Sequence, residues 1–147
     1  MRITKKIRYL VWSMLFCLSA GIFFEAWAKT KQTSIDSLAK VYRSLREQHQ
    51  IQNSGEFNKD LDAWDGRMHH VMEELGKRLG TPGYTKNDIV SFMGKPDTVM
   101  VVRGLEDKTP PTEVIHLVYF WRGWHDYLFF ACQKDTIMKA GWYFAGE

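Results

Sequence analysis

Five histidines are spread over this chain of 147 residues, and their spacing allows two chemical groupings. His69 and His70 are adjacent, with Asp65 four residues before the first and Glu74 four after the second. On a helix that spacing brings each histidine beside its carboxylate, a pairing that can hold a transition metal. Adjacent helical residues point about 100° apart, however, so three ligands do not converge without help from elsewhere. The four therefore read as solvated polar residues, and no metal or other cofactor is expected. His125 and Asp126 form the second grouping, with His116 nearby in the sequence. A histidine with a neighbouring carboxylate can act as a base and its orienter, so a small hydrolase or metal-binding protein using His116, His125 and Asp126 is the alternative reading. No nucleophile accompanies them, and the first reading of His125-Asp126 is a turn that caps a hairpin. The chain has no Gly-rich phosphate loop, no G-x-S-x-G and no H-E-x-x-H, so no catalytic residue is assigned.

The elements that would position these residues come after an N-terminal stretch of different character. Arg2, Lys5, Lys6 and Arg8 precede an apolar run from Leu10 to Phe24, and Ala26-Trp27-Ala28 makes an A-x-A site before Lys29. This pattern is that of a signal peptide over residues 1–28, implying export to the periplasm or beyond. If the segment is retained, residues 10–28 would anchor the protein in the inner membrane and provide its sole membrane contact. Cys17 lies inside the apolar run beside Phe16, where lipid attachment needs a small residue, so lipidation is not expected.

Removing residues 1–28 takes away four basic residues and Glu25, so Lys+Arg falls from 20 to 16 and Asp+Glu from 17 to 16. The formal charge of +3 becomes zero, and without a basic surplus to release counterions nucleic-acid binding is excluded. Cys132 is then the one remaining cysteine, and its neighbours in Leu128-Phe-Phe-Ala-Cys132 predict a buried, inert thiol. Residues 29–147 suffice for a single domain with its own core.

In the helical N-terminal part, residues 29–82, Ile35, Leu38, Val41, Tyr42 and Leu45 recur at helical spacing from Ser34 to about Gln50. The segment from Gln48 to Gly55 reads as a fraying helix end and a loop. A second stripe, Leu61, Trp64, Met68, Val71, Met72, Leu75 and Leu79, predicts one helix from about Asn58 to Leu79 with Gly66 inside it. Gly80-Thr-Pro-Gly83 ends that helix.

Thr85 and Asp88 then have capping-box spacing, and Ile89, Phe92 and Met93 share a face. Gly94 supplies a left-handed residue and Pro96 cannot continue the helix, so the chain leaves extended. Strands are predicted over 98–102, 114–122, 127–133 and 136–144, the first two separated by an exposed loop from Gly104 to Glu113. The short connections 123–126 and 134–135 force antiparallel neighbours.

The pattern Gly83-x-Thr85-x-x-Asp88-Ile89, then Gly94-x-Pro96, then Leu117-Val-Tyr-Phe-Trp-Arg122 and Trp142-Tyr-Phe resembles the SmpA/OmlA, or BamE-like, domain of small bacterial cell-envelope proteins. The resemblance covers residues 83–147. It implies an α+β fold, here two or three helices on a three- to four-stranded antiparallel sheet, and a non-enzymatic part in envelope assembly or maintenance with a protein partner. Members serving at the outer membrane usually carry a lipidated cysteine at the mature N-terminus; none stands there in this chain.

Strand alternation sorts the sheet into two faces. One collects Val118, Phe120, Tyr127, Phe129, Ala131, Met138, Ala140 and Trp142; the other Leu117, Tyr119, Trp121, Leu128, Phe130, Cys132, Ile137, Lys139 and Tyr143. Neither is polar, although an uncovered face should be. Either the N-terminal helices and the long loop cover the surplus, or Tyr119, Trp121 and Tyr143 stay partly open as an aromatic patch for a partner.

Overall fold

Gly94 adopts φ 80° and ψ −173°, a region open essentially to glycine alone, and there the last helix turns into the sheet. The computed structural model describes residues 34–51, 56–103 and 113–145, which apart from Ser34 belong to the unit Ile35–Glu147. The expected signal peptide and most of the charged loop lie outside the described residues. The first helix, α1, runs over 34–51; α2 is Lys59–Asp62, α3 Arg67–Leu79 and α4 Lys86–Met93. Strands β1 (Thr98–Arg103), β2 (Glu113–Phe120), β3 (Asp126–Gln133) and β4 (Thr136–Phe144) form an antiparallel meander in the order β1-β2-β3-β4. The fold is α+β, as expected. Among the described residues no helix is long and apolar enough to cross a membrane.

The α4 cap has the expected form: the Asp88 backbone N–H donates to Thr85 Oγ1 at 3.2 Å while the Thr85 N–H donates to Asp88 Oδ2 at 2.7 Å. Ile89 and Met93 are fully buried, and Phe92 packs against the same core. Two arginines of α1 close the other end of α4. Arg43 donates to the carbonyl of Phe92 at 2.6 Å, and Arg46 to those of Met93 and Lys95 at 3.3 and 2.8 Å. Cations at the C-terminal end of a helix satisfy its orphan carbonyls and oppose its dipole.

The expected single helix from Asn58 to Leu79 is two. Gly66 takes an extended conformation, φ −74° and ψ 159°, and caps α3 instead of continuing α2. A Cβ at Gly66 would stand 2.5 Å from the Lys59 carbonyl oxygen and 2.7 Å from that of Ala63, so the sharp turn closes only on glycine. Met68, Met72, Leu75 and Leu79 still bury as one stripe, each worth about 1.5–3 kcal/mol of transfer free energy. Gly76 lets α3 approach the sheet, since a Cβ there would meet Leu128 at 2.9 Å.

The face carrying Leu117, Tyr119, Trp121, Leu128, Phe130, Cys132 and Ile137 is the one the helices cover, and all seven are buried. In β4 the expected alternation fails halfway. Cys132 pairs with Ile137 but Ala131 pairs with Lys139, so Met138 is an extra residue in a bulge. Beyond it the faces exchange: Ala140 and Trp142 join the core, while Lys139 and Tyr143 move to the outer face. The two-residue turn is as expected, and Lys134 at φ 57° supplies the positive angle in place of glycine.

Candidate functional site

The predicted aromatic patch is not assembled. Tyr119 and Trp121 are fully buried, whereas Tyr143 is half exposed on the opposite face. Tyr119 meets Tyr42 of α1 edge-on and donates its hydroxyl to the Gly94 carbonyl at 2.9 Å; Trp121 Nε1 donates to the Leu61 carbonyl at 2.6 Å. Both are core rings, because α1 and α2 lie over them. Burial pushes the Tyr119 hydroxyl well above the ordinary tyrosine value.

What the outer face presents instead is a chain of rings. Register places Phe120 beside Tyr127 and Tyr127 beside Tyr143. Tyr127 stacks on Tyr143 at 4.8 Å between centroids, and Trp124 from the β2–β3 turn lies 4.8 Å from Phe120 and 6.2 Å from Tyr127. Trp124 is 58% exposed and Tyr143 47%. The bulge at Met138 is what brings Tyr143 here.

The residues of the alternative reading do not converge. His116 pairs with Ala131, five residues from Asp126 along β3, or roughly 16 Å at the usual strand rise. It lies flat on Phe129 at 4.6 Å on the outer face. Asp126 is buried and bound to Arg122 at 2.7 Å, and His125 is exposed in the turn, where its carbonyl accepts the Ala145 N–H. His125 belongs to the turn as expected, whereas Asp126, expected as the last turn residue, opens β3 opposite Phe144. Cys132 is fully buried, its Sγ 3.5 Å from the Phe130 carbonyl, and burial pushes the thiol up.

The other grouping is rearranged. Asp65 falls in the exposed turn before α3, and Glu74 is occupied by Lys77 at 3.5 Å and Arg78 at 3.4 Å. Glu73 takes the place expected for them: one ligand atom each from His69, His70 and Glu73 lie within 4.8 Å of one another. Glu73 is four residues after His69 and three after His70, so it belongs to the same helical neighbourhood as both, a signal present in the sequence. His69 is enclosed by Trp64, Trp121 and Trp142, at 4.7, 4.7 and 4.9 Å. Burial, then the nearby His70 and Arg122, favours its neutral form over the pull of Glu73. Its hydrogen bond to Lys77 holds Glu73 below the usual carboxylate range. Beside this cluster a cleft of about 240 Å³ opens between α3 and β4, lined by Glu73, Gly76, Gly80, Leu128, Ala140 and Trp142.

No protein-family model matches the chain, and no solved structure matches it. Over 69 residues it is 32% identical to Interferon-induced protein 75 of Mus caroli, a stretch that makes up 46% of this chain and 15% of that protein. The chain therefore spans well under two thirds of that relative's length.

Proposed function

We propose that this protein is a non-enzymatic interaction module of the bacterial cell envelope, and that it holds a protein partner through the outer face of its sheet at Phe120, Trp124, Tyr127 and Tyr143. The observation that carries the reading is the exposure of Trp124 and Tyr143, both packed on the buried Tyr127 ring, on the sheet face opposite the helices. Amphipathic rings in contact with one another and open to solvent are favoured at interfaces, where they bury large area at small entropic cost. The wide separation of His116 from Asp126 weighs against the hydrolytic alternative. The resemblance to the SmpA/OmlA domain and the A-x-A site before Lys29 supply the envelope location, periplasmic after cleavage. Within the motif of that resemblance Thr85, Asp88, Gly94 and Pro96 are structural.

Photo-crosslinking in the intact envelope tests this. A crosslinker at Trp124 or Tyr143 should trap one discrete partner, and the same probe at Lys134, outside the ring chain, should trap none. Trp124→Ser with Tyr143→Ser should abolish that product and leave the melting curve nearly unchanged. Equal labelling from all three positions would remove the basis for the assignment. Intact mass of the exported protein, expected to begin at Lys29, tests the location separately.

A further inference from the structure

The geometry points to a binding site for one divalent transition cation of the zinc class on α3, held by His69, His70 and Glu73. Two imidazoles and a carboxylate are the donor set such borderline ions take, with water completing the shell. The three donor atoms lie within 4.8 Å of one another, and a tetrahedral ion with bonds of 2.0–2.1 Å needs them roughly 3.3 Å apart. The remaining closure falls on exposed His70 and half-exposed Glu73, which are free to change rotamer. His69 is already fixed by three indole rings.

A second observation is independent of that proximity. His69 is 94% buried, yet its Nδ1 has no hydrogen-bond partner, and an unpaired buried ring nitrogen normally costs free energy. Lys77 holds Glu73 at 2.8 Å, but it is 59% exposed and already reaches Glu74 at 3.5 Å. A cation can therefore displace Lys77 from Glu73 without leaving the ammonium unpaired. The water-filled position would face the α3–β4 cleft, which Glu73 and Trp142 line.

The experiment is titration of the full purified chain with Zn²⁺ by calorimetry, with Cu²⁺ quenching of tryptophan emission as a second readout near Trp64, Trp121 and Trp142. One Zn²⁺ per chain should bind. His70→Ala and Glu73→Gln, both on accessible positions that the fold does not need, should each weaken binding at least about tenfold, the scale on which even outer-shell groups act. Lys77→Ala should tighten it several-fold by freeing Glu73. Absence of saturable binding, undiminished affinity in His70→Ala and Glu73→Gln, or weakening in Lys77→Ala would overturn the assignment.

Discussion

The guanidinium of Arg46 meets the carboxylate of Asp97 at 2.6 Å, joining α1 to the residue just before β1. Asp97 is committed on both sides: its Oδ2 accepts the Phe120 N–H at 2.8 Å, and its own N–H donates to the Val118 carbonyl at 2.9 Å. Arg46 also caps α4 and lies over the Tyr119 ring at 5.6 Å. One cation thus ties a helix, a helix end and a strand start. Arg46→Met should destabilise the protein by about 1.5–3 kcal/mol, the scale of a hydrogen bond to a charged group. Asp97→Asn, which keeps an acceptor for Phe120, should cost less. Urea unfolding of the two variants checks the order, and equal losses would show that the ion pair, not the cap, carries the effect.

Gly94→Val should cost about 1–3 kcal/mol, because a β-branched residue resists φ 80° with ψ −173°. Space is not the obstacle, since the nearest atom to an added Cβ is Arg46 Nη1 at 3.8 Å. Gly94→Ala should therefore lose nearly as much as Gly94→Val. A Gly94→Ala melting temperature equal to the parent's would contradict the backbone argument.

His116 gives the stability a pH dependence of known sign. Burial against Phe129 and the Lys139 ammonium on β4, across β3, hold its pKa below the ordinary value of 6.5. Above that value the ring is neutral in both states and no penalty exists. As pH falls through it, the unfolded chain takes up the proton first, so stability drops until the folded ring titrates as well. Melting temperatures from pH 8 to pH 5 should fall, and His116→Gln should flatten the part of that slope due to this ring. An unchanged slope would place the dependence elsewhere.

What could be read from the sequence was local chemistry. Thr85, Asp88 and Gly94 define α4 because both caps depend on residues within a turn of it, and the inner face of β2 and β3 follows from period-two alternation. The arginine cap was not legible, because Arg43 lies 49 residues from Phe92. Gly66 was read as a tolerated helical glycine, since only the approach of the Lys59 and Ala63 carbonyls reveals the break. Glu73 stands four residues after His69 and three after His70, so its place beside both is legible from helical spacing, whereas Asp65 leaves the helix at the Gly66 break and Glu74 turns to Lys77 and Arg78. The patch at Tyr119, Trp121 and Tyr143 failed on two counts: helices cover the first two, and the third changes face. Nothing in Thr136-Ile-Met-Lys-Ala140 marks which residue is extra.

That extra residue yields the sharpest test of the sheet. Ile137 points inward opposite Cys132 and Lys139 outward opposite Ala131, so Met138 alone lies outside the alternation, half exposed to solvent. Deleting Met138 would join two residues already in proper phase, and Ala140, Trp142 and Tyr143 would keep their faces. A single deletion in a regular strand has the opposite effect, since it sends every later side chain to the wrong side. The Met138 deletion should therefore fold with a loss of roughly 1–2 kcal/mol, within the range of an ordinary point change. Deleting Phe129 from β3 should abolish cooperative unfolding, because Leu128 and Phe130 would no longer both face the core between β2 and β4. Thermal melts followed by circular dichroism separate the outcomes. If the two deletions proved equally damaging, Met138 would be needed for the twist or curvature of β4 and not merely accommodated by it.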